Sequence, residues 1–562
     1  MVVTTTIYSG VLPVMLPMLG LLVEAGCVGD GHIDVASEHD TTIKVGVVAY
    51  NLRQNGFDAD PLPQTIPKPE TLMASQTPQL HFLLFPLMAQ GHMIPLMDVA
   101  KILVQRNVSV TVVTTPNNAA RFTSIIDRYI QSGFQIRLVQ LQFPCKEVGL
   151  PDGCENFDMM PSLATAPSFF KATSFLQQPV EKLLEELTPP PSCIISDMCL
   201  PYTAHIAKKF NIPRISFVGV SCFCLLCLHN MRVHKIMEKL TSESEYFVLP
   251  SIPDKIEMTK AQAGGPMNET WKQFNEEVFI AEMASYGIIM NSFEELEPAY
   301  AREYKKVKNG KVWCVGPVSL INKDHLEKAQ RGKHKASIDE SQHLKCWLDS
   351  QKPRSVIYAC LGSICSLTPP QLAELGLALE ASKRPFIWVI RGGSHSQTLE
   401  KWIKEDGFEE RTKGLGLLIR GWAPQLVILS HPAVGGFITH CGWNSTLEAI
   451  CAGVPMVTWP LFADQFLNES QVVHVLKVGV KVGTEKPVKW GEEEKIGVQV
   501  RKENVERAIE RIMGDTSESE ERRKTIEKLA DIAKKTVEKG GSSYSNVTLF
   551  IEDIMQKVKR DI

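Results

Sequence analysis

A histidine and an aspartate stand at the ends of two apolar segments, where they could act as a catalytic base and its partner. His92 lies in MAQGHMIP, directly after the segment LHFLLFPL, and Asp197 ends the segment CIISD. A neutral imidazole can accept a proton near neutral pH, and a carboxylate bonded to its other ring nitrogen fixes the tautomer and stabilises the imidazolium. The pair therefore suits removal of a proton from a hydroxyl group, although the sequence alone leaves their contact open.

A denser polar cluster occupies the segment from Trp422 to Gln465. Within it, GGFITHCGWNS predicts an apolar strand, a glycine-containing turn and a helix from about Ser445. That order directs backbone N–H groups and a helix N-terminus at one point, which predicts a site for an anion. The polar and aromatic residues around this point are Trp422, Gln425, His440, Trp443, Asn444, Ser445, Glu448, Asp464 and Gln465.

The same segment closely resembles, without a gap, the donor-sugar signature of plant UDP-dependent glycosyltransferases. In addition, HFLLFPLMAQGHMIP and CIISD match the catalytic histidine and aspartate motifs of that family. The resemblance implies the GT-B architecture for residues 73–562, in which two doubly wound α/β domains with parallel sheets face each other across a cleft. It also implies that His92 and Asp197 are in contact.

The resemblance further implies a role for each donor-site residue. By this comparison, Trp422 stacks on uracil, the Ala423 backbone reads the uracil edge, Gln425 and Glu448 bind the ribose hydroxyls, His440, Asn444, Ser445 and Ser363 bind the diphosphate, and Trp443, Asp464 and Gln465 hold the sugar. Each residue type also has an ordinary structural use, since asparagine and serine commonly cap helices. The joint pattern, rather than any single residue, favours a donor site.

The implied reaction is a single displacement with UDP-glucose as co-substrate and with no cofactor or metal. His92 takes the proton of an acceptor hydroxyl, the oxygen attacks C1 of the α-linked sugar, and UDP leaves, which gives a β-O-glucoside. Glucose is expected because glutamine at the position of Gln465 usually goes with UDP-glucose in this family, whereas histidine goes with UDP-galactose. The alternatives are another UDP-sugar donor and a UDP-sugar-binding protein without turnover. A nicotinamide-dependent epimerase is disfavoured, because the candidate loop at Gly414 lacks its third glycine and precedes a strand.

The acceptor is expected to be a lipophilic plant small molecule, namely a terpenoid, a steroid-like compound or a flavonoid or other phenolic. The opening MAQGHMIPLMDVAKIL resembles the branch of the family that handles such aglycones. Three apolar segments of the N-terminal half are predicted to line the acceptor pocket: PYTAHIAKK, SFVGVSCFCLL and CENFDMMPSLATAPSFFKATSFL.

Two series of alternating apolar strands and amphipathic helices predict two domains whose parallel sheets are covered on both faces. The first series, residues 73–318, is the expected acceptor-binding domain with the base. A polar linker, residues 319–345, shows neither apolar periodicity nor strand character. Residues 346–545 form the expected UDP-sugar-binding domain, and residues 546–562 a helix that packs back on the first domain. Ligands of such sheets bind at the carboxyl ends of the strands.

Residues 1–72 differ from the rest of the chain. The segment Ile7–Val23 is uncharged but contains Pro13 and Pro17, and no lysine or arginine precedes Lys44. A secretory signal requires a basic start, and a membrane span requires about 20 apolar residues. These residues are therefore expected to be a non-core extension, disordered or an artefact of the gene boundary. A membrane anchor and an unrecognised targeting segment are the alternatives.

Composition is that of an ordinary globular chain without a global electrostatic preference. Hydrophobic residues make up 44% and the formal net charge is −3, so nothing favours nucleic acid or an anionic membrane surface. The 14 cysteines show no zinc spacing, and Cys222, Cys224 and Cys227 are expected in a buried helix. We therefore expect a reduced, cytoplasmic monomer without stable membrane insertion, whose partners are a small-molecule acceptor and a UDP-sugar.

Overall fold

The computed structural model describes one compact unit, in which the described residues are 79–264, 269–332, 338–364, 367–391 and 396–561. The extension predicted over residues 1–72 lies outside the described residues and stays a prediction. Within the described ranges, no helix combines the length and the apolar character needed to cross a bilayer.

The described residues form two parallel sheets and one small hairpin. The strands are β1 (His81–Phe85), β2 (Ser109–Thr114), β3 (Ile136–Gln140), β4 (Cys193–Asp197), β5 (Arg214–Val218), β6 (Tyr246–Val248), β7 (Glu257–Thr259), β8 (Gly287–Met290), β9 (Val312–Cys314), β10 (Val356–Cys360), β11 (Phe386–Ile390), β12 (Gly416–Arg420), β13 (Val434–Thr439), β14 (Met456–Thr458) and β15 (Gly479–Lys481). The first sheet has the order β3-β2-β1-β4-β5-β8-β9 and the second β12-β11-β10-β13-β14-β15, while β6 and β7 pair antiparallel. The predicted class of two parallel-sheet α/β domains is confirmed.

Helices connect the strands in both halves. The α-helices are α1 (Gln90–Val104), α2 (Pro116–Ala119), α3 (Thr123–Gln131), α4 (Ala166–Ser174), α5 (Gln177–Glu186), α6 (Tyr202–Lys209), α7 (Cys222–Val233), α8 (Ile236–Lys239), α9 (Glu269–Ala284), α10 (Pro298–Val307), α11 (His325–Gln330), α12 (Ile338–Asp349), α13 (Pro369–Ala381), α14 (Ser396–Glu405), α15 (Phe408–Arg411), α16 (Gln425–Leu429), α17 (Trp443–Ala452), α18 (Gln465–Ser470), α19 (Lys502–Met513), α20 (Ser517–Thr536) and α21 (Ser542–Asp561). One-turn 3-10 segments lie at Lys146–Val148, Phe157–Met159, Leu163–Thr165, Val318–Ile321 and Glu493–Lys495, and a π turn at Gln471–Val475.

Successive residues of β10 show that the second sheet is covered on both faces. Val356 and Tyr358 pack in one apolar core, whereas Ile357 and Ala359 pack in another. Because side chains alternate between the two faces of a strand, these cores lie on opposite sides of the sheet. This arrangement explains why the strand is apolar along its whole length.

The last helix, α21, packs against the first sheet and contacts both the interior strand β1 and the edge strand β9. The ring of Phe550 lies between Phe82 and Trp313, with centroid distances of 5.6 and 5.2 Å. Asn546 Nδ2 donates to the backbone oxygen of Cys314 at 3.0 Å. The chain thus leaves the second domain and ends on the first.

Three features do not follow from the sequence pattern. The strands β9 and β15 have three residues each and lie at sheet edges, so they are too short to show a period. The predicted linker contains α11, whose first turn is capped by Asp324 accepting from the backbone N–H of Glu327 at 2.7 Å. Finally, α17 begins at Trp443 rather than at Ser445.

Candidate active site

The adjacent strands β1 and β4 bring His92 and Asp197 together. The strands run parallel, with Phe85 level with Ser196, so both end at the same edge of the sheet. α1 begins at Gln90 and carries His92 in its first turn. His92 Nδ1 lies 2.8 Å from Asp197 Oδ2. The structure therefore supplies the contact that the sequence left open.

Hydrogen bonds leave one ring nitrogen of His92 available. Asp197 is 1% exposed and His92 35% exposed, and Asp197 Oδ1 accepts from the backbone N–H of Cys199 at 2.9 Å. An ionised carboxylate can only accept, so His92 Nδ1 donates to it. The lone pair of the neutral imidazole is then on Nε2, where it can take a proton.

The charges around His92 favour its protonated form. Desolvation lowers the pKa of His92, but the charge and hydrogen bond of Asp197, with a further contribution from Asp464, outweigh it. The pKa of His92 therefore lies above its ordinary value of 6.5. The imidazolium that forms when His92 takes a proton is stabilised in the same way.

The side chain of Cys199 completes a group that could in principle hold a metal. Possible ligand atoms of His92, Asp197 and Cys199 all lie within 4.8 Å of one another. A cysteine must be deprotonated to bind a metal. However, burial and then the Asp197 carboxylate raise the pKa of the Cys199 thiol well above its ordinary value. The Cys199 thiol is therefore held in its protonated form next to the His92–Asp197 pair.

A tight turn between β13 and α17 holds the His440 ring between two glycines. Cys441 adopts a left-handed conformation with φ of 64°. A Cβ atom would lie 2.6 Å from His440 Nε2 at Gly362 and 2.4 Å from it at Gly442. Neither position has room for a side chain. Ser363 directly follows the first of these glycines and is partly exposed.

The His440 imidazole is neutral and incompletely bonded. Burial, followed by the charge of Arg391, lowers the pKa of His440 to about 4. Its buried Nδ1 has no hydrogen-bond partner among the described residues. A buried polar atom without a partner costs free energy. Since the ring sits at the N-terminus of α17, where the helix dipole favours negative charge, this place suits an anion.

The start of α17 reaches across to the first domain. Asn444 Nδ2 donates to the backbone oxygen of Gly91, and Asn291 Nδ2 donates to Asn444 Oδ1 at 3.1 Å. Trp443 Nε1 donates to the backbone oxygen of Asn291 at 2.7 Å. Gly91 precedes His92, so the predicted diphosphate residue Asn444 lies close to the predicted base, His92. The indole N–H of Trp443 is used by the contact between the domains.

A hydrogen-bond network joins the two residues predicted to bind ribose. Gln425 Nε2 donates to Glu448 Oε2 at 2.8 Å and to Ser445 Oγ at 3.0 Å. The hydroxyl of Tyr358 donates to Gln425 Oε1 at 3.3 Å. Glu448 is 5% exposed, so the structure holds this carboxylate in a fixed, buried position.

The predicted uracil contacts lie just before α16. Ala423 is buried, and Trp422 Nε1 is buried without a hydrogen-bond partner among the described residues. The guanidinium carbon of Arg391 lies 4.9 Å from the centroid of the Trp422 ring, a cation–π contact.

At the predicted sugar end, Asp464 lies directly before α18, and Gln465 is the first residue of that helix. Gln465 Oε1 accepts from the backbone N–H groups of Leu461 at 2.7 Å and Phe462 at 3.1 Å. The amide NH₂ group of Gln465 is therefore the part of the side chain that could donate hydrogen bonds to a ligand. Asp464 Oδ2 accepts from Asn468 Nδ2 at 2.6 Å, yet burial raises the pKa of Asp464.

Aromatic rings from both domains meet at their boundary. The rings of Phe157, Phe170, Trp271, Phe274 and Trp490 form an aromatic cluster with neighbouring centroids 4.5–6.0 Å apart. Phe157 and Phe170 belong to one of the segments predicted to line the acceptor pocket. The backbone N–H of Phe157 donates to Met88 O at 2.8 Å, four residues before His92. 

Another of the predicted acceptor segments is largely core. Cys222, Phe223, Cys224 and Cys227 in α7 are all 0% exposed, and the hydrogen bonds from Cys222 and Phe223 N–H go to the buried Glu297. The buried-helix interpretation of the cysteines is therefore correct, and this helix is a poor candidate for a pocket wall.

Four residues of the site do not stand out in the sequence. Asn291 follows β8 and Arg391 follows β11, so both lie at carboxyl ends of strands, where a search for polar residues could find them. Tyr358 lies inside β10, and Arg331 lies in the linker. Their contacts depend on packing between distant segments and leave no local pattern.

Comparisons with known proteins agree with this geometry. The family model described as UDP-glucoronosyl and UDP-glucosyl transferase matches residues 329–516, and the model for the glycosyltransferase N-terminal domain matches residues 79–320. UDP-glycosyltransferase 73C2 of Arabidopsis thaliana is 56% identical over 86% of this chain and 97% of its own length. UDP-glycosyltransferase 73C11 of Barbarea vulgaris is 56% identical over 85% of this chain and 97% of its own.

Solved structures show the same similarity. UGT73P12 of Glycyrrhiza uralensis, complexed with glycyrrhetinic acid 3-O-monoglucuronide, matches with a TM-score of 0.79 and 36% identity, covering 86% of this chain and 97% of that one. UGT89C1 of Arabidopsis thaliana, complexed with UDP-L-rhamnose, matches with a TM-score of 0.66 and 29% identity, covering 85% of this chain and 100% of that one. The sheets, the site and these relatives together show that the chain belongs to the plant UDP-glycosyltransferases, enzymes of the GT-B fold.

Proposed function

We propose that the enzyme transfers glucose from UDP-glucose to a hydroxyl group of a lipophilic small molecule and inverts the configuration at C1, giving a β-O-glucoside. The observation that carries this proposal is the 2.8 Å contact between His92 Nδ1 and Asp197 Oδ2, next to the start of α17. Asn444 at the start of α17 donates to the backbone oxygen of Gly91, so the proposed base and the proposed diphosphate site lie close together, as a direct displacement requires.

In the proposed mechanism, His92 Nε2 takes the proton of the acceptor hydroxyl. The acceptor oxygen forms a bond to C1 as the bond from C1 to the diphosphate oxygen breaks on the opposite face. Asp197 fixes the tautomer and stabilises the imidazolium. The charge that develops on the leaving UDP is stabilised by His440, Asn444 and the N-terminus of α17. Ser363 and Ser445 provide hydroxyl groups at the same end.

The other donor contacts follow the proposed orientation of UDP-glucose. Trp422 stacks on uracil and the Ala423 backbone reads its edge. Glu448 accepts hydrogen bonds from the ribose hydroxyls, and the Gln425 amide also bonds to them. An ionised carboxylate can accept from both of these hydroxyls. At the other end, Trp443 borders the sugar, Asp464 accepts from its hydroxyls and Gln465 donates to them.

The aromatic cluster supports a lipophilic acceptor. The backbone N–H of Phe157, one of its residues, donates to Met88 O, four residues before His92, and large apolar rings favour flat hydrophobic partners. The solved relative from Glycyrrhiza uralensis was complexed with glycyrrhetinic acid 3-O-monoglucuronide. We propose that the acceptor is a terpenoid, steroid-like or phenolic aglycone, and that the enzyme is a cytoplasmic monomer that needs no cofactor or metal.

A UDP-sugar other than UDP-glucose is the main alternative donor. It is favoured by the relative from Arabidopsis thaliana that was complexed with UDP-L-rhamnose. Steady-state measurements with UDP-glucose, UDP-galactose and UDP-L-rhamnose, using one acceptor, distinguish these donors. A higher kcat/KM for a donor other than UDP-glucose contradicts the glucose assignment.

The proposal is tested by incubating the enzyme with UDP-glucose and pooled plant aglycones. We expect a mass increase of one hexosyl residue in at least one aglycone, and a β anomeric configuration in the isolated product by NMR. UDP release should match product formation. Binding of UDP-glucose without release of UDP in the presence of any aglycone would instead indicate a binding protein.

A further inference from the structure

The linker residue Arg331 connects the two domains through two buried carboxylates. Its Nε donates to Asp98 Oδ2 in α1 at 2.8 Å, and its Nη1 donates to Glu448 Oε1 in α17. The side chains of Arg331, Asp98 and Glu448 are only 10%, 2% and 5% exposed. Buried ion pairs with good geometry are held firmly, because removing one partner leaves an uncompensated charge.

This contact uses the carboxylate that the proposed function assigns to ribose. Glu448 Oε1 accepts from Arg331, and Oε2 accepts from Gln425. The next linker residue, Gly332, lies against Trp422, since a Cβ atom there would be 2.8 Å from Cζ2 of the indole. The linker therefore contacts both the carboxylate and the ring that are expected to bind uridine.

We propose that Arg331 is a latch on the uridine-binding site: it occupies Glu448 in the unliganded enzyme and is exchanged for the ribose hydroxyls when the donor binds. This inference rests on the assignment of Glu448 to ribose. The latch lowers donor affinity, because binding must first break a buried charged hydrogen bond. By the same exchange, its return to Glu448 assists the release of UDP.

The surroundings of Asp98 allow the latch to open. Lys101 Nζ lies 2.9 Å from Asp98 Oδ1, and Asn322 Nδ2 donates to the same oxygen at 3.0 Å. Asp98 therefore keeps a cation and a hydrogen-bond donor without Arg331, and Glu448 keeps Gln425. Without the guanidinium, Asp98 still pairs with the Lys101 cation, and Glu448 still accepts a hydrogen bond from the neutral Gln425 amide.

Calorimetric titration of UDP tests the latch. We expect Arg331→Ala and Arg331→Gln to bind UDP about tenfold more tightly than the wild type, the change that 1.4 kcal/mol produces. Arg331→Gln keeps a long polar side chain and provides the result if the alanine variant does not fold. The control is Arg411→Ala. Arg411 also bridges two carboxylates, those of Glu380 and Asp406, but it does so in α15 at the exposed surface of the second domain. Its UDP affinity should equal that of the wild type.

A double-mutant cycle with Glu448→Gln separates the latch from the proposed function. We expect Glu448→Gln alone to weaken UDP binding, and Arg331→Ala to have a much smaller effect in that background, because the partner charge is gone. If both Arg331 variants bind UDP no more tightly than the wild type, while Glu448→Gln still weakens UDP binding, the latch is wrong but the ribose assignment stands. If adding Glu448→Gln to Arg331→Ala, in which the latch is already absent, leaves UDP affinity unchanged, the ribose assignment in the proposed function is contradicted.

Discussion

The side-chain amide of Asn444 donates to the backbone oxygen of Gly91, the residue before His92. One hydrogen bond thus joins the proposed diphosphate site of the second domain to the proposed base of the first. A donor held at the N-terminus of α17 would present its sugar close to His92. The second domain would thus position the donor, and the first domain would position the base.

The first prediction concerns the charge at this junction. Asn444→Asp keeps the oxygen that accepts from Asn291 but replaces the amide donor with a carboxylate oxygen. We expect the KM for UDP-glucose to rise at least tenfold, because a negative charge then faces the diphosphate. Steady-state kinetics measure this, and Asn444→Ala is the comparison without the charge. A lower KM for the aspartate variant than for the alanine variant would exclude diphosphate binding here.

The second prediction is a pH dependence. The pKa of His92 is raised, and the base acts only when neutral, so kcat/KM should increase with pH along an acid limb above 6.5. Asp197→Asn removes the strongest contribution that raises this pKa, so the limb should move to lower pH. Its maximal rate should also fall by about 10²- to 10⁴-fold, because the wrong tautomer is favoured. A limb that stays in place in Asp197→Asn would contradict this coupling.

The third prediction concerns the sugar. Gln465→His should shift the ratio of kcat/KM for UDP-glucose and UDP-galactose towards galactose, by about 5- to 150-fold, the effect of leaving a buried polar group unpaired. Gln465→Glu is the matched variant, because it keeps the oxygen that accepts from Leu461 and Phe462 and removes the donor. Both ratios are measured with one acceptor. An unchanged ratio in Gln465→His removes the main support for glucose.

The fourth prediction concerns the packing of α21. Phe550 is 1% exposed and lies against Phe82 and Trp313. Phe550→Ala should lower the free energy of unfolding by about 3–5 kcal/mol, because it removes apolar contacts and leaves a cavity. The neighbouring Leu549 is 53% exposed, so Leu549→Ala should change the free energy of unfolding by less than about 0.5 kcal/mol. Denaturant unfolding measures both, and equal effects would show that α21 is not part of the core.

The sequence predicts those parts of the fold whose signal is local. The strands β1, β4 and β10 are mainly apolar, Asp197 is the last residue of β4, and His92 lies in the first turn of α1, the helix that follows β1. The predicted donor residues other than Ser363 lie in one ungapped segment, Trp422 to Gln465, in which a strand, a turn and a helix fix the central residues relative to one another. These elements are therefore predictable from residue type and spacing.

Contacts between distant segments are not predictable in this way. Arg331 and Glu448 are 117 residues apart, and Asn291 and Asn444 are 153 apart. Nothing near Arg331 distinguishes it from the other charged residues of the linker. The pairing depends on the orientation of the two domains, which is a property of the whole packed chain.

The most direct test of the account is a comparison of wild-type enzyme with His92→Ala, using UDP-glucose and an aglycone that the wild type glucosylates. Calorimetry measures UDP binding, and mass spectrometry measures the glucoside formed. The account predicts that His92→Ala binds UDP with wild-type affinity but forms no detectable glucoside, because the donor residues lie in the other domain and the base is gone. Glucoside formation by His92→Ala at the wild-type rate would contradict it.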